Sequence, residues 1–206
     1  MKTMIKNKVL LKVLLLVIFF CLLFSVSMSI AQDRDSWQQP ERVMDIIGVK
    51  PGMTIGEVGA GRGYFTFKLS RRVGIQGKIY ANDIDQEALA SIESRCRGEG
   101  ITNVEIILGK IDDPCFPEGK MDMVFMSFVF HLLEKPVELL RNLKPSMKPG
   151  ASLIIIDPRK AKMTPQVEKR KVIEPVVEAG FKLFRKETFL DRANIYIFQQ
   201  KETVSK

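Results

Sequence analysis

Glu57-Val58-Gly59-Ala60-Gly61-Arg62-Gly63-Tyr64 is the stretch whose reading decides the fold. Met53-Thr54-Ile55 before it reads as a short buried strand, and Tyr64 to Val73 after it reads as a helix. A strand, a glycine-rich turn and a helix start together form a ligand cradle. Glycine lets the backbone turn sharply and lets a ligand approach it closely. The helix start adds free N–H groups and partial positive charge. A dinucleotide fingerprint needs a third glycine in the frame G-x-G-x-x-G, and Tyr64 occupies that place. The acid Glu57, two residues before the first glycine, would repel a pyrophosphate and suits a ligand with a cationic ammonium group. An NAD-dependent oxidoreductase is disfavoured on both counts.

Further acids and strands follow in order. Lys78 to Asn82 reads as a second strand ending in Asp83-Ile84-Asp85, with a helix to about Arg97. An acid at the end of the second strand, roughly twenty residues past the glycines, is placed to accept hydrogen bonds from ribose hydroxyls. Asp83 holds that position, Ile84 would lie beside a base, and Asp85 reads as a helix cap. Val104 to Leu108 is the third strand and Met121 to Ser127 an almost wholly apolar fourth. Pro136 to Lys144 is a helix, and Pro149-Gly150 turns into a fifth strand, Ser152 to Ile156. Pro165 to Ala179 reads as a helix capped by Thr164 and kinked at Pro175. Phe181 to Phe189 and Asn194 to Gln199 form a terminal antiparallel hairpin.

The motif Glu57-x-Gly59-x-Gly61-x-Gly63, Asp83 and the terminal hairpin together resemble the class I S-adenosylmethionine (SAM)-dependent methyltransferases. The resemblance covers roughly Gln38 to Lys201. It implies a Rossmann-like doubly wound α/β sheet in the order 3-2-1-4-5-7-6, with the last strand antiparallel beside the fifth. It implies SAM as cofactor, held by Glu57, Gly59, Ala60, Gly61, Gly63, Asp83, Ile84, Asp112 and Ser127. Many members carry an acid directly after the glycine that follows the third strand. Here Gly109 is followed by Lys110, which leaves Asp112 or the backbone to meet the adenine amino group.

The acceptor is less legible. His131, the only histidine, falls just beyond the fourth strand, where ligands bind in open α/β sheets. It reads either as a general base or as a histidine packed in a strand-to-helix connection. Asp157 reads as an acceptor contact or as a loop acid paired with Arg159. No Asn-Pro-Pro-Tyr/Phe tetrapeptide occurs, which favours a small-molecule or lipid acceptor over an amino group of nucleic acid or protein. A non-catalytic SAM or nucleoside binder of the cell envelope is the alternative.

The net charge of +8 owes much to Lys2, Lys6, Lys8 and Lys12. Elsewhere the positive excess is thinly spread, so nucleic acid is not an expected partner. Those lysines precede the uncharged run Val13 to Phe24 and the small residues Ser29-Ile30-Ala31. Residues 1–31 therefore read as a secretory signal peptide or a single-pass anchor, leaving 32–206 as the catalytic domain outside the cytoplasm. Membrane contact would run only through residues 1–31. A translation start at Met28 would instead leave a cytoplasmic enzyme. Asp33 to Gln39 reads as a polar linker, with Trp37 as part of a lid or packed on the sheet. Pro40 to Ile47 is a helix stopped by Gly48. Cys96 and Cys115 lack metal-ligand spacing, so no metal is expected, and a disulfide between them suits an exported chain.

Overall fold

In the fourth strand, successive side chains go to opposite cores. Val124 and Met126 join one buried cluster, and Met123 and Phe125 join the other. The same split holds for Leu153 and Ile155 against Ile154 and Ile156, and for Tyr196 and Phe198 against Ile195 and Ile197. Strand side chains alternate with period two, so a sheet apolar in both registers must be covered on both faces.

The computed structural model describes residues 34–159 and 169–201. The strands are β1 (Thr54–Val58), β2 (Lys78–Asp83), β3 (Val104–Leu108), β4 (Met121–Ser127), β5 (Met147–Pro158), β6 (Phe181–Glu187) and β7 (Ala193–Gln200). The helices are α1 (Pro40–Ile47), α2 (Thr66–Val73), α3 (Gln86–Glu99), α4 (Pro136–Leu143) and α5 (Glu174–Glu178). One seven-stranded sheet runs β3-β2-β1-β4-β5-β7-β6. The first five strands pair in parallel, and β7 lies antiparallel to both β5 and β6. This is the expected order, with the last strand inverted beside the fifth.

Side chains of α1 and α2 pack on the face reached by Ile55 and Ile79, and α3 covers Ala81 on that face. Side chains of α4 and α5 pack on the face reached by Tyr80 and Val124. Arg72 ties α2 to α1 through Glu41 and Asp45, at 2.7 and 2.6 Å. The strand order reverses between β1 and β4, which places the ligand-binding edge at their carboxyl ends.

Several expectations need correction. Residues 34–38 are helical rather than a linker, and Gln39 breaks the helix with φ +45°; contacts separate the chain at this point, residues 40–206 forming one unit. The fifth strand starts at Met147, not Ser152. Pairing jumps from Met121↔Met147 to Met123↔Ser152, so Pro149-Gly150 sits in a bulge within β5. Of the helix expected over Pro165 to Ala179, the described part is a π-helical segment, Lys169–Ile173, that runs into α5. Pro175 stands in the first turn of α5, where its missing N–H costs least. Cys96 and Cys115 are free thiols, so the disulfide that export would allow does not form here. The signal or anchor (residues 1–31), the Thr164 cap and all but the first residue of the Lys201 to Lys206 tail lie outside the described residues. No described helix is long and apolar enough to cross a membrane, and no described cluster could hold a metal ion.

Candidate active site

The cradle follows from three bonds donated by backbone N–H groups, two to carbonyls and one to a side chain. Ala60 N–H donates to Asn82 O at 2.9 Å, which ties the turn to β2. Gly63 N–H donates to Ala60 O at 2.9 Å, and Gly61 N–H donates to Asp83 Oδ2 at 2.8 Å. Gly59 has φ +72°, and a Cβ there would come within 2.5 Å of Val129 Cγ2. Only glycine satisfies both constraints. Gly63, at φ +86°, faces the Phe67 ring just as closely. Gly61 has open space where its Cβ would stand, so this part of the turn presents bare backbone. Ala60 is buried against Phe67, Leu89 and Ile92, so only its backbone is free to face a ligand. The helix begins at Thr66, two residues later than Tyr64, because residues 61–65 are spent on turns.

Glu57 is the electrostatic oddity. It is 3 % exposed near the end of β1. Thr66 Oγ1 donates to its Oε2 at 2.6 Å. Burial pushes the Glu57 carboxyl up to about 8; the Thr66 hydrogen bond opposes this and the charge of Asp83 adds to it. The site therefore holds a carboxyl that would gain from a cationic partner. Thr66 was missed from sequence, since a threonine opening a helix carries no sign of a bond back to a strand.

Asp83 is shared between two turns. Its Oδ2 accepts from Gly61, and its Oδ1 accepts from Asp85 N–H at 3.0 Å. Each oxygen keeps a further lone pair for a vicinal diol. Asp85 is the cap expected of it, with Oδ1 accepting from Glu87 and Ala88 N–H at 2.9 and 3.2 Å. A cleft of about 330 Å³ opens here, lined by Gly59, Asp83, Ile84, Ile111, Ser127 and Leu133 among others. That volume lies within the range of small-molecule sites. Ile84 is 63 % exposed at its rim. Ser127 Oγ is buried without a hydrogen-bond partner among the described residues, at the cleft wall.

Asp112 is not on that wall. Lys135 Nζ holds its Oδ2 at 3.1 Å, and Asn142 Nδ2 donates to its carbonyl at 2.8 Å. The Lys135 bond and charge hold the Asp112 carboxyl below the usual range. Lys110 and Ile111 line the cleft in its place. The loop after β3 turns back through the Lys110↔Asp113 bridge, which carries Asp112 outward.

Beyond β4 the chain bends at Phe128, whose φ is +58°. Left-handed backbone at an aromatic residue is strained. The bend aims Val129 at Gly59 and leads into a 3₁₀ turn, Phe130–Leu132. His131 on that turn meets Asp157 at the end of β5. Its Nδ1 lies 2.8 Å from Asp157 Oδ1, and its backbone N–H donates to the same oxygen at 3.3 Å. The Asp157 side chain is 5 % exposed and that of His131 is 32 % exposed. Asp157 is therefore not paired with Arg159. The Arg159 guanidinium donates instead to Leu190 O and Asp191 O, pinning the end of β5 to the β6–β7 loop.

Residues 49–196 match a family described as a methyltransferase domain. A ubiquinone/menaquinone biosynthesis C-methyltransferase from Vibrio parahaemolyticus is 30% identical over 123 residues, 59% of this chain and 48% of the relative. Its counterpart from Escherichia fergusonii is 30% identical over 115 residues, covering 55% and 46%. The chain thus spans about half the length of these curated relatives. Among solved structures, a SAM-dependent methyltransferase from Aquifex aeolicus is 31% identical with a TM-score of 0.70, covering 77% of this chain and 88% of that one. The [4+2]-cyclase SpnF is 19% identical with a TM-score of 0.58, covering 71% and 59%, and shows likeness of fold alone. The chain belongs to the methyltransferase-domain family and has the class I SAM-dependent methyltransferase fold.

Proposed function

We propose that this chain binds SAM in the cleft at the carboxyl ends of β1, β2 and β4 and transfers its methyl group to an apolar small-molecule or lipid acceptor. The carrying observation is the Gly61 N–H to Asp83 Oδ2 bond, which joins the glycine turn and the ribose-binding acid into one wall. Asp83, Gly59, Ile84, Ile111 and Ser127 line the cleft and fit the cofactor, while Glu57 is buried off that lining near the end of β1. Glu57 would take the ammonium group, Asp83 the ribose diol, and Ile84 with Ile111 the faces of the base. Backbone at Gly59 and Gly61 would border the amino-acid portion, and the unpartnered Ser127 Oγ would gain a hydrogen bond. When bound, SAM supplies a methyl carbon already activated by its sulfonium. The protein's task is then to align an acceptor lone pair behind that carbon and exclude water.

The acceptor class rests on the relatives, which are named for quinone biosynthesis, and on the rim. Ile84, Ile111 and Leu132 are 63, 44 and 68 % exposed around the cleft. Calorimetric titration of the full chain with SAM tests the reading. Saturable binding, with release of the demethylated cofactor in the presence of a quinol acceptor, is the expected result. Tight NADH binding without SAM binding would overturn it. For location, the lysine-rich start and the run Val13 to Phe24 support export to the cell envelope. Cell fractionation with N-terminal sequencing tests this, and a cytoplasmic protein starting at Met28 would reverse it.

A further inference from the structure

We propose that His131 is the general base of methyl transfer and that Asp157 is its positioning residue, so the acceptor is a group that must lose a proton as it attacks. This rests on the SAM-dependent reading above. Apart from Ser127 at the end of β4 and Ile111 after β3, the cofactor residues gather on the β1–β2 side of the ligand edge, at Glu57, Gly59, Gly61, Asp83 and Ile84. His131 and Asp157 stand on the β4–β5 side of the same edge, because β5 neighbours β4 away from β1. That side is left for the acceptor.

The pair has the hydrogen-bond geometry of a carboxylate-held imidazole, on the turn whose Val129, Leu132 and Leu133 line the cleft. Asp157 is buried on a central strand, and one of its oxygens takes both the ring Nδ1 and the backbone N–H of His131. A carboxylate in contact with Nδ1 of a neutral ring would hold the proton there and leave the lone pair on Nε2. Nε2 has no partner among the described residues, and the ring is 32 % exposed. A carboxylate that fixes the tautomer and stabilises the imidazolium is the division of labour seen in acid–base dyads. The strained Phe128 bend supplies the turn that brings this backbone N–H to Asp157.

The step balances. The acceptor oxygen, or the ring carbon it activates, forms a bond to the methyl carbon. The carbon–sulfur bond breaks and its electron pair stays on sulfur. The hydroxyl proton, or the ring proton displaced by carbon attack, passes to His131 Nε2. The positive charge lost at sulfur reappears on the imidazolium beside Asp157. Carboxylate and cation then form a charge-assisted pair. No metal or oxidant is required.

The test uses the full chain, saturating SAM, and substituted phenols and hydroquinones as probes. At about pH 8 p-nitrophenol is mostly ionised, whereas phenol, which like the tyrosine side chain titrates at about 10, is not. General-base assistance contributes typically about 10²–10⁴-fold. His131→Gln is expected to lower transfer to phenol or hydroquinone by about 100-fold or more, and transfer to p-nitrophenolate by less than about threefold. Asp157→Asn should lower kcat with little change in KM. Because His131 is the only histidine, its imidazole nitrogens give one set of NMR signals. Those signals should report the Nδ1–H tautomer in the wild type and a changed tautomer balance in Asp157→Asn. Equal losses for both acceptor types, no loss, or no transfer to any phenol by a wild type that binds SAM would overturn the proposal. SAM affinity measured on the same samples separates the cases. A wild type that fails to bind SAM sinks the cofactor reading itself, whereas intact SAM binding with an unselective His131→Gln sinks only the base.

Discussion

The two halves of the ligand edge are built differently. On the β1–β2 side the wall is mostly backbone. Gly59 to Gly63 turn within a few residues, and Asp83 closes on Gly61 by a single bond. On the β4–β5 side the wall is side chains from distant positions, with His131 and Asp157 separated by 26 residues. Backbone cradles suit the part of a ligand that never varies. Side-chain clusters can be exchanged one residue at a time, so they suit the part that differs between relatives. The [4+2]-cyclase with the same fold fits this view, since function resides in the site rather than the scaffold.

The contrast is open to direct attack, and the largest effect should come from Gly59→Ala. The new Cβ meets Val129 and sits at φ +72°. Backbone strain costs about 1–3 kcal/mol and overpacking about as much again. Urea denaturation should show that loss and calorimetry a collapse of SAM affinity. Adding Val129→Ala should restore part of the stability. Gly61→Ala, with open space around it, should lose only about 1–2 kcal/mol. Equal losses at the two glycines would mean that close packing against Val129 does not shape the cradle.

Glu57→Gln comes next. Losing a charge-assisted hydrogen bond of about 1.5–3 kcal/mol should weaken SAM by roughly ten- to a hundredfold. The same variant tests the raised carboxyl. Between its ordinary value of 4.5 and about 8, the folded protein holds a proton that the unfolded chain has released. Stability of the ligand-free protein should therefore fall as pH rises through that window. A cationic partner favours the ionised form, so SAM affinity should rise over the same window. Glu57→Gln should flatten both profiles, as thermal melts and titrations at several pH values would show. A wild-type melting temperature that climbs from pH 4.5 to 8 would contradict the assignment.

Asp157→Ala probes the other half. It leaves the His131 ring and backbone N–H without their acceptor, at about 1–3 kcal/mol of stability. SAM affinity should stay within about twofold, since no cradle bond is touched. A large loss of SAM affinity would merge the two halves into one cooperative site. The smallest effect should come from Asp85→Ala, which removes the α3 cap at about 1 kcal/mol and leaves SAM binding intact. Asp83→Ala should do the reverse, and the pair of titrations shows whether the cap and the ribose acid are separate.

Local features were legible early. Asp85 as cap, Gly48 as helix stop and Met121 to Ser127 as a central strand all follow from nearest neighbours. Asp112 was misplaced because the loop after β3 doubles back at Lys110↔Asp113 and hands its carboxylate to Lys135. Of the two readings of Asp157, the pair with Arg159 does not form, because the partners of Arg159 in space are the Leu190 and Asp191 carbonyls.

By itself the sequence determined the strand and helix order, the glycine turn and the acids that flank it. Periodicity, capping and positive-φ glycines act over a few residues, so they leave a trace in a linear chain. Only tertiary structure decided that Glu57 lies buried against Thr66, that Val129 packs over Gly59, and that His131 meets Asp157. Those contacts arise where parallel strands bring distant residues to one edge. The pKa of a carboxyl and the tautomer of an imidazole are set by what surrounds them in space, and no local pattern records it.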